Sequence, residues 1–226
     1  MRAMILAAGR GARMGDLTND LPKPLIRIDA KTLIEHQIDR LRDAGILDIV
    51  INVAYRGAQI RAYLGNGEGR GVRIAYSQEP QDALDTGGGI AAALDLLGDD
   101  PLVVVNSDIW TDFNYSTLSA PLLDAHLILV PNPAHNPNGD FLLRDGRIAA
   151  TGERWTFAGI GVYSPMLFTN QPTARFPLAP ILTAAAGRRR VTAELYRGRW
   201  IDVGTPERLA IAKSYVAMQH KAETGI

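Results

Sequence analysis

The sequence predicts an α/β fold in which a mixed, mostly parallel sheet is flanked by helices. Short apolar segments rich in β-branched residues recur along the chain, and segments with helical periodicity separate them. This alternation implies crossover connections, which place neighbouring strands in parallel. With 226 residues, 46% of them hydrophobic, the chain can bury one sizeable core. We therefore expect a single domain over residues 1–226.

The first part of the chain alternates strands with helices. Strands are predicted at 3–8, 49–53, 72–76, 102–106 and 126–130. Helices are predicted between them at 32–44, 56–64 and 90–97. In the first of these helices Ile34, Ile38 and Leu41 share one face, and Gly45 is typical of a helix end. That face is expected to pack on the sheet, and this part of the chain is expected to end near Pro131.

From Asn132 onwards the sequence predicts a small antiparallel part. A segment rich in Asn and Pro predicts a long loop over 132–140, and Asp145-Gly146 is typical of a hairpin turn between 141–143 and 148–150. Further elements are a strand at 155–163, a helix at 178–186, a pair of short strands over 191–200 and a closing helix at 206–220. The chain contains no hexapeptide repeat of the β-helix type, so an added acyltransferase unit is not expected.

Composition excludes several functional classes. The 24 basic and 24 acidic residues cancel, so no overall positive field attracts nucleic acid. The absence of cysteine excludes disulfides, thiolate metal sites and cysteine nucleophiles, and the four histidines lack metal-like spacing. The chain starts directly with a strand, and no apolar run approaches the ~20 residues that span a bilayer. We expect a cytoplasmic monomer or homodimer with neither a nucleic-acid nor a membrane partner.

A glycine-rich loop with two cations follows the first strand. Gly9 and Gly11 allow the backbone to approach a ligand closely, so that successive N–H groups can turn towards an anion. Arg13 and Lys23 add full positive charges, and the prolines on both sides of Lys23 are expected to keep it out of the helical region. Such a loop suits a polyphosphate.

Asp108 follows the β-branched run at 103–105 and is therefore placed at the carboxyl edge of the sheet, where open α/β proteins bind ligands. Taken alone, this aspartate has the alternative role of capping a turn. The segment from Glu79 to Gly89 is similarly open to two interpretations. By itself it predicts a flexible connection between a strand and a helix, with Thr86 as the helix cap.

The loop resembles the signature of the sugar-1-phosphate nucleotidyltransferases, which runs Leu-Ala-Ala-Gly-x-Gly-x-Arg-Met/Leu and continues to Pro-Lys-Pro. The resemblance implies a Rossmann-like nucleotidyltransferase fold. It also implies transfer of a nucleotidyl group from a nucleoside triphosphate to a sugar 1-phosphate, with release of pyrophosphate. The pattern differs at Gly15 and Asp16, where the family usually has Arg or another residue and then Pro.

Site residues follow from this resemblance position by position. Arg13 and Lys23 are implied to be catalytic, at the leaving pyrophosphate and at the α-phosphate. Mg²⁺ is implied to bind to Asp108 and to Asp202, which lies in a late Trp-x-Asp-x-Gly-Thr element. The nucleotide is implied to contact Leu6, Ala8, Gly9, Gly11, Gln78, Glu79, Gly87, Gly88 and Asp108.

The acceptor sugar is assigned to the second part of the chain and to the end of the strand at 102–106. The implied residues are Asn106, Asn138, Gly139, Asp140, Glu153 and Arg154. Asp140 and Glu153 supply acceptors for hydroxyl groups, and Arg154 suits a phosphate or a carboxylate. Alternatively, Asn138-Gly139 is only a turn. Residues 1–131 are thus expected to bind the nucleotide and residues 132–226 the sugar phosphate.

Within the family, the chain is similar to the N-acetylmuramate α-1-phosphate uridylyltransferases of peptidoglycan recycling. Motifs that carry this likeness are Thr86-Gly87-Gly88-Gly89, Asn106-Ser107-Asp108-Ile109-Trp110 and the segment 196–205. UTP and N-acetylmuramic acid α-1-phosphate are the implied substrates. A mannose-1-phosphate guanylyltransferase, or another hexose-1-phosphate nucleotidyltransferase, is the alternative within the family. A catalytically inactive nucleotide-sugar sensor, favoured by Gly15 and Asp16, is the alternative from another class.

Overall fold

The computed structural model describes residues 1–120, 123–172 and 174–224. Its strands are β1 (Arg2–Leu6), β2 (Arg27–Ile28), β3 (Lys31–Thr32), β4 (Asp48–Val53), β5 (Arg73–Gln78), β6 (Leu102–Asn106), β7 (Ile109–Thr111), β8 (Ala125–Val130), β9 (Phe141–Arg144), β10 (Arg147–Ala149), β11 (Glu153–Tyr163), β12 (Val191–Leu195) and β13 (Trp200–Asp202). Its helices are α1 (Leu33–Asp43), α2 (Gly57–Leu64), α3 (Asp85–Ala92), α4 (Leu94–Leu97), α5 (Leu178–Gly187) and α6 (Pro206–Thr224).

One large mixed sheet runs through the molecule in the strand order β5-β4-β1-β6-β11-β8-β12-β10-β9. The first four of these strands are parallel to one another. β11 is antiparallel to both β6 and β8, β12 returns parallel to β8, and β10 and β9 form an antiparallel hairpin. The predicted α/β fold with a mixed sheet and an antiparallel part is confirmed.

The carboxyl ends of three parallel strands meet at one edge of the sheet. Leu6 at the end of β1 is in register with Asn52 of β4 on one side and with Asn106 of β6 on the other. Ligands of open α/β sheets bind in the crevice outside such ends. The glycine-rich loop leaves β1 at this edge, so the sheet topology places it beside the side chains that follow β4 and β6.

Helix α1 forms where its periodicity and its first residues predict it. Thr32 and Glu35 make a capping box, in which the Glu35 N–H donates to Thr32 Oγ1 at 3.3 Å and the Thr32 N–H to Glu35 Oε2 at 2.8 Å. Ile34, Ile38 and Leu41 are fully buried against the sheet. The hairpin of β9 and β10 likewise turns at Asp145 and Gly146, as the turn chemistry predicts.

Helix α3 begins five residues before the predicted helix at 90–97, and a separate short helix, α4, completes that segment. Gly87 and Gly88 therefore lie inside a helix, although glycine costs about 1 kcal/mol relative to alanine there. Tertiary packing explains their presence. A Cβ at Gly87 would lie 2.4 Å from the ring of Phe176, and one at Gly88 would lie 2.3 Å from the Ala174 carbonyl oxygen.

Apolar side chains cover both faces of the sheet. α1 and α2 pack with the parallel strands on one face, and α3, α4 and α5 lie on the other. A third apolar cluster joins α6 to Met14 of the glycine-rich loop and to Trp110 of β7. This contact anchors the loop in the core. Among the described residues, no helix is both long enough and apolar enough to cross a membrane.

Candidate active site

The glycine-rich loop folds back on itself directly after β1. Gly11 has a left-handed backbone with φ = 69°, and its carbonyl oxygen accepts a hydrogen bond from the Met14 N–H at 2.9 Å. A Cβ at Gly11 would lie 2.8 Å from Lys23 Cβ, so the glycine gives the stem of Lys23 room to pack on the loop. Thr18 Oγ1 closes the loop by donating to the Gly11 and Gly15 carbonyl oxygens.

The two predicted catalytic cations differ in their surroundings. Lys23 is buried, with 7% of its surface exposed, and its Nζ donates to Asp108 Oδ2. Arg13 is exposed and makes no hydrogen bond or ion pair within the described residues. The buried lysine is therefore held in a fixed place, whereas the arginine is free to bind an anion.

The backbone at Lys23 contradicts the expectation that this residue is kept out of the helical region. Lys23 begins a 3₁₀ turn that ends at Leu25, and Pro24 is its second residue. The turn is closed by hydrogen bonds from the Leu25 N–H to the Pro22 carbonyl oxygen at 2.9 Å and from the Ile26 N–H to that of Lys23 at 3.0 Å. These bonds offset the bias that proline imposes on the residue before it.

A cleft of about 410 Å³ opens at the carboxyl ends of β1, β4 and β6. Its size is typical of small-molecule sites. The cleft contains both predicted cations and six of the predicted nucleotide-binding residues. Its lining consists of Leu6, Ala7, Ala8, Gly9, Gly11, Ala12, Arg13, Lys23, Pro24, Asn52, Glu79, Ala83, Asp85, Thr86, Asn106, Ser107, Asp108 and Gly204.

Three predicted nucleotide-binding residues lie outside this lining. Gln78, at the end of β5, donates through Nε2 to the Val53 and Glu79 carbonyl oxygens. Gly87 and Gly88 are buried in α3, where the Gly88 N–H donates to the Phe176 carbonyl oxygen at 3.1 Å. Their close packing holds α3 against the chain at 174–176. Their contact with a nucleotide stays a prediction.

Asn52 is a cleft residue that the sequence analysis did not assign to the site. Its Oδ1 accepts from the Ala7 N–H at 2.7 Å, and its Nδ2 donates to Glu79 Oε1 at 2.6 Å. The other oxygen of the Glu79 carboxylate accepts from the Leu84 N–H at 2.7 Å. The buried amide thus ties the start of the glycine-rich loop to the segment before α3. Its signal in the sequence is a polar residue near the end of an apolar strand, the same signal that indicated Asp108.

A second cavity of about 270 Å³ adjoins the cleft and shares Arg13, Asn106 and Asp108 with it. Asp140 lines this cavity together with Asn136. The Asp140 carboxylate accepts from Asn136 Nδ2 at 3.0 Å and from the Phe157 N–H at 2.8 Å. Asn136 also donates to Thr156 Oγ1 at 3.2 Å. These side chains form a polar wall already held together by hydrogen bonds.

Asn106 also lines the second cavity, whereas the other four predicted sugar-binding residues surround this wall without lining the cavity. Gly139 has φ = 58°, and a Cβ there would lie 2.7 Å from Asn132 Oδ1. The exposed Arg154 donates to the Asp140 carbonyl oxygen at 3.4 Å, and Asn138 and Glu153 are also exposed. These residues hold or border the turn that presents Asp140. Their contact with a sugar stays a prediction.

The two predicted metal ligands are brought together by a short strand pair. β13 lies antiparallel to β7, with Asp202 opposite Ile109, and the Val203 N–H donates to the Asp108 carbonyl oxygen at 2.8 Å. Both carboxylates line the second cavity. Asp202 Oδ2 accepts from Arg208 Nη1 at 2.9 Å, whereas Oδ1 is buried and has no hydrogen-bond partner.

This arrangement fits a divalent cation. An unpartnered buried carboxylate oxygen beside a second carboxylate offers the hard oxygen ligands that Mg²⁺ prefers. Within the described part of the chain, no group of three or more His, Asp or Glu side chains is arranged to hold a metal ion. A cation held by these two carboxylates would take its other ligands from phosphate oxygens and water, as is usual for Mg²⁺.

His135 also borders the carboxylate pair, with Nε2 3.6 Å from Asp202 Oδ2. Burial, reinforced by Arg208 and Arg13, lowers the pKa of His135. The lowered pKa favours the uncharged form of the ring. Nothing in its sequence spacing pointed to this position, because residues 135 and 202 come together only through the fold.

Comparisons with known proteins agree with this geometry. The family model described as "Nucleotidyl transferase" matches residues 2–126. An N-acetylmuramate alpha-1-phosphate uridylyltransferase of Neisseria meningitidis is 46% identical over 95% of this chain and 97% of its own length. A protein of the same name from Caulobacter vibrioides is 35% identical over 95% of this chain and 96% of its own. A mannose-1-phosphate guanylyltransferase catalytic subunit beta of Dictyostelium discoideum is 31% identical over 92% of this chain and 62% of its own length.

Solved structures share the fold at lower sequence identity. A putative glucose-1-phosphate thymidylyltransferase from Bacillus anthracis superposes with a TM-score of 0.84 at 22% identity, covering 95% of this chain and 94% of that one. A UDP-glucose pyrophosphorylase complexed with UDP-glucose superposes with a TM-score of 0.78 at 17% identity, covering 96% of this chain and 98% of that one. The likeness extends over both the parallel and the antiparallel parts of the sheet.

Proposed function

The chain belongs to the nucleotidyl transferase family, and we propose that it transfers UMP from UTP to N-acetylmuramic acid α-1-phosphate, releasing pyrophosphate. It is an enzyme of the sugar-1-phosphate nucleotidyltransferase kind. The observation that carries the choice of substrates is the 46% identity to a named uridylyltransferase over almost the full length of both chains. A place in peptidoglycan recycling and a cytoplasmic location are parts of the same proposal.

Catalysis in this proposal consists of positioning and charge stabilisation. The phosphate of the acceptor is already an anionic nucleophile, so no general base is required. Bringing two polyanions together is unfavourable unless preorganised donors stabilise the crowded charge. Lys23, which lines the cleft and is held in place by Asp108, is suited to the α-phosphate. Arg13 and the N–H groups after β1 are suited to the leaving pyrophosphate.

A divalent metal ion belongs to this chemistry, because nucleotidyltransferases of this family generally use one. We propose that the ion is Mg²⁺ and that Asp108 and Asp202 hold it. When bound, it supplies positive charge to the phosphate oxygens of the nucleotide. The protein's own part is to keep Asp202, in the lining of the second cavity, near Asp108, which lines both cavities.

The linings of the two cavities support the proposal that the two parts of the chain bind different substrates. Residues 1–131 supply almost all of the cleft lining and are proposed to bind the nucleotide. Residues 132–226 supply Asn136, Asp140, Thr156 and Trp200 to the second cavity and are proposed to bind the sugar phosphate. Transfer would take place at Asp108, which both cavities share.

The proposed substrates are tested with a panel of four nucleoside triphosphates against the 1-phosphates of N-acetylmuramic acid, mannose and glucose. Release of pyrophosphate is measured for every pair. We expect the highest kcat/KM with UTP and N-acetylmuramic acid α-1-phosphate. A preference for GTP with mannose 1-phosphate would identify a guanylyltransferase instead, the alternative that the 31% identity to the Dictyostelium discoideum protein supports.

The same panel separates an enzyme from a sensor. If calorimetry detects nucleotide binding but no pair releases pyrophosphate, the chain is a nucleotide-sugar sensor. Gly15 and Asp16 favour that alternative, because they place no cation at this point of the loop. The pairing of Lys23 with Asp108 and the proximity of Asp202 favour catalysis, since simple binding requires neither.

A further inference from the structure

We infer that Arg208 is a positioning residue, which holds Asp202 so that one carboxylate oxygen remains free for a divalent cation bound with the nucleotide. This inference rests on the proposed function, because it concerns the same site. Arg208 lies in the first turn of α6, and the Trp-x-Asp-x-Gly-Thr likeness does not include it. The geometry around its guanidinium carries the inference.

The guanidinium of Arg208 lies inside the protein beside Asp202. Only 11% of the side chain is exposed, and Nη1 donates to Asp202 Oδ2 at 2.9 Å. The start of α6 supports its backbone, since the Arg208 N–H points to Thr205 Oγ1 at 3.4 Å. A buried, charge-assisted hydrogen bond of this kind restricts the rotation of the carboxylate. With Oδ2 engaged, Oδ1 is left buried without a partner beside the second cavity.

Gly204 provides the space that this contact needs. A Cβ at position 204 would lie 2.1 Å from Arg208 Nη2 and 3.0 Å from Asp202 Oδ1. The guanidinium is the far end of a flexible side chain and would be displaced by such a Cβ. Gly204→Ala therefore displaces the Arg208 guanidinium without removing its charge. Gly204 thus leaves the space in which the Arg208 guanidinium contacts the Asp202 carboxylate.

Orientation and simple charge compensation make opposite predictions for metal binding. If Arg208 only neutralised Asp202, its removal would expose a carboxylate and tighten the binding of a cation. If Arg208 orients Asp202, its removal leaves the carboxylate free to rotate and weakens that binding. Groups that orient metal ligands typically change metal affinity by about 10–100-fold when mutated. A lower metal affinity after removal of Arg208 therefore indicates orientation, and a higher one indicates charge compensation.

The experiment uses Mn²⁺ as the probe and measures how strongly it tightens nucleotide binding. The dissociation constant of UTP is determined by calorimetry with and without saturating Mn²⁺, in the absence of any acceptor, and the ratio is the metal coupling factor. We expect Arg208→Met to lower this factor about tenfold or more. Gly204→Ala should lower it too, and Arg208→Lys should keep part of it.

The matched control is Arg70→Met. Arg70 is another partly buried arginine paired with a carboxylate, with Nη2 3.2 Å from Glu35 Oε1, and it lies outside both cavities. This variant should keep the wild-type coupling factor even if its melting temperature falls. In an Asp202→Asn background, Arg208→Met should cause no further loss, because the carboxylate to be oriented is gone.

Three outcomes would overturn the inference: an unchanged coupling factor in Arg208→Met, a higher one, or an equal loss in Arg70→Met. A wild-type protein whose UTP binding ignores Mn²⁺ would overturn it as well. Failure of the proposed function is observed separately, since it appears as a lack of pyrophosphate release in the substrate panel. A protein that prefers another nucleotide is measured with that nucleotide in the same coupling experiment.

Discussion

The cleft is proposed to bind the nucleotide, and the second cavity, proposed to bind the sugar phosphate, is called the acceptor cavity below. The two share Arg13, Asn106 and Asp108 but are built in different ways. The glycine-rich loop supplies six residues to the cleft, and the charge of Arg13, one of them, has no ion-pair partner within the described residues. In the acceptor cavity, Asn136 and Asp140 are already joined by a hydrogen bond at 3.0 Å.

The difference reflects the ligands that the two cavities suit. Phosphates require donors and positive charge that nothing else neutralises, and free N–H groups and an unpaired arginine provide both. A sugar requires acceptors in fixed places. A carboxylate has about four lone-pair sites, so Asp140 can accept two protein hydrogen bonds and still bind hydroxyl groups. The predictions below test this contrast, starting with the largest expected effect.

Lys23→Ala removes a cleft residue that pairs with Asp108, which both cavities share. Loss of one preorganised group at developing charge typically costs about 2.7–4 kcal/mol, so we expect kcat to fall about 100- to 1000-fold. Lys31→Ala is the control, because Lys31 pairs with Asp39 on the surface and should leave kcat unchanged. Steady-state release of pyrophosphate measures both. Near-normal turnover of Lys23→Ala would remove this lysine from the mechanism.

Asp140→Asn tests the acceptor cavity alone. Hydrogen bonds to charged groups contribute about 1.5–3 kcal/mol, so KM for the sugar 1-phosphate should rise about tenfold or more. KM for UTP should stay unchanged, because Asp140 does not line the cleft. Asp145→Asn, in the hairpin turn, is the control, since asparagine tolerates the left-handed backbone found there. An equal rise of both KM values would contradict the division between the cavities.

Asn52→Ala tests whether the cleft depends on its own buried network. The substitution leaves the Ala7 N–H and the Glu79 carboxylate without their partner, and buried polar groups without a partner cost about 1–3 kcal/mol each. We expect a lower melting temperature and a higher KM for UTP, with KM for the sugar 1-phosphate unchanged. Asn66→Ala, at an exposed turn, is the control. An unaltered KM for UTP would show that the loop holds its shape without Asn52.

The substitution with the smallest expected effect is His126→Asn. His126 lies in β8, outside the lining of both cavities. Burial lowers the pKa of His126, whose Nδ1 lies 2.9 Å from Thr192 Oγ1 across β8 and β12. A histidine with a lowered pKa in the folded state stabilises the fold above its unfolded pKa of about 6.5. That stabilisation is lost as the pH falls through the folded value.

The measurement for His126 is urea unfolding of wild type and His126→Asn between pH 7.5 and pH 5. The wild-type free energy of unfolding should decrease more steeply on acidification than that of the variant. Equal slopes would show that protonation of His126 does not oppose folding. KM for both substrates should be the same in the two proteins, because His126 lines neither cavity.

Much of the candidate site follows from local sequence signals. The parallel strand ends predict where a ligand binds, and the loop glycines with Arg13 and Lys23 predict that it is an anion. The structure brings these residues together with Asp108 in one cleft. The family resemblance, rather than a local signal, implied Asp140 as a sugar-binding residue, and Asp140 lines the second cavity. Residue types at strand ends and in tight loops carry this information because sheet topology determines where they lie.

Local sequence signals do not predict contacts between segments that are distant in the chain. The sequence predicted a flexible connection over 79–89, but α3 begins at Asp85, and the chain at 174–176 passes too close for any side chain at Gly87 or Gly88. The Asn52 amide was not assigned to the site because its partners, Ala7 and Glu79, come from other parts of the chain.

The sequence by itself determined the α/β class, the face of α1, the turn of the β9–β10 hairpin and the anion-binding loop. These features depend on periodicity, capping and backbone freedom, which act over a few residues. Only the tertiary structure decided that β7 and β13 bring Asp108 and Asp202 together, and that Gly204 admits Arg208 to Asp202. Close packing and hydrogen bonding between distant segments depend on three-dimensional distances, which no local pattern specifies.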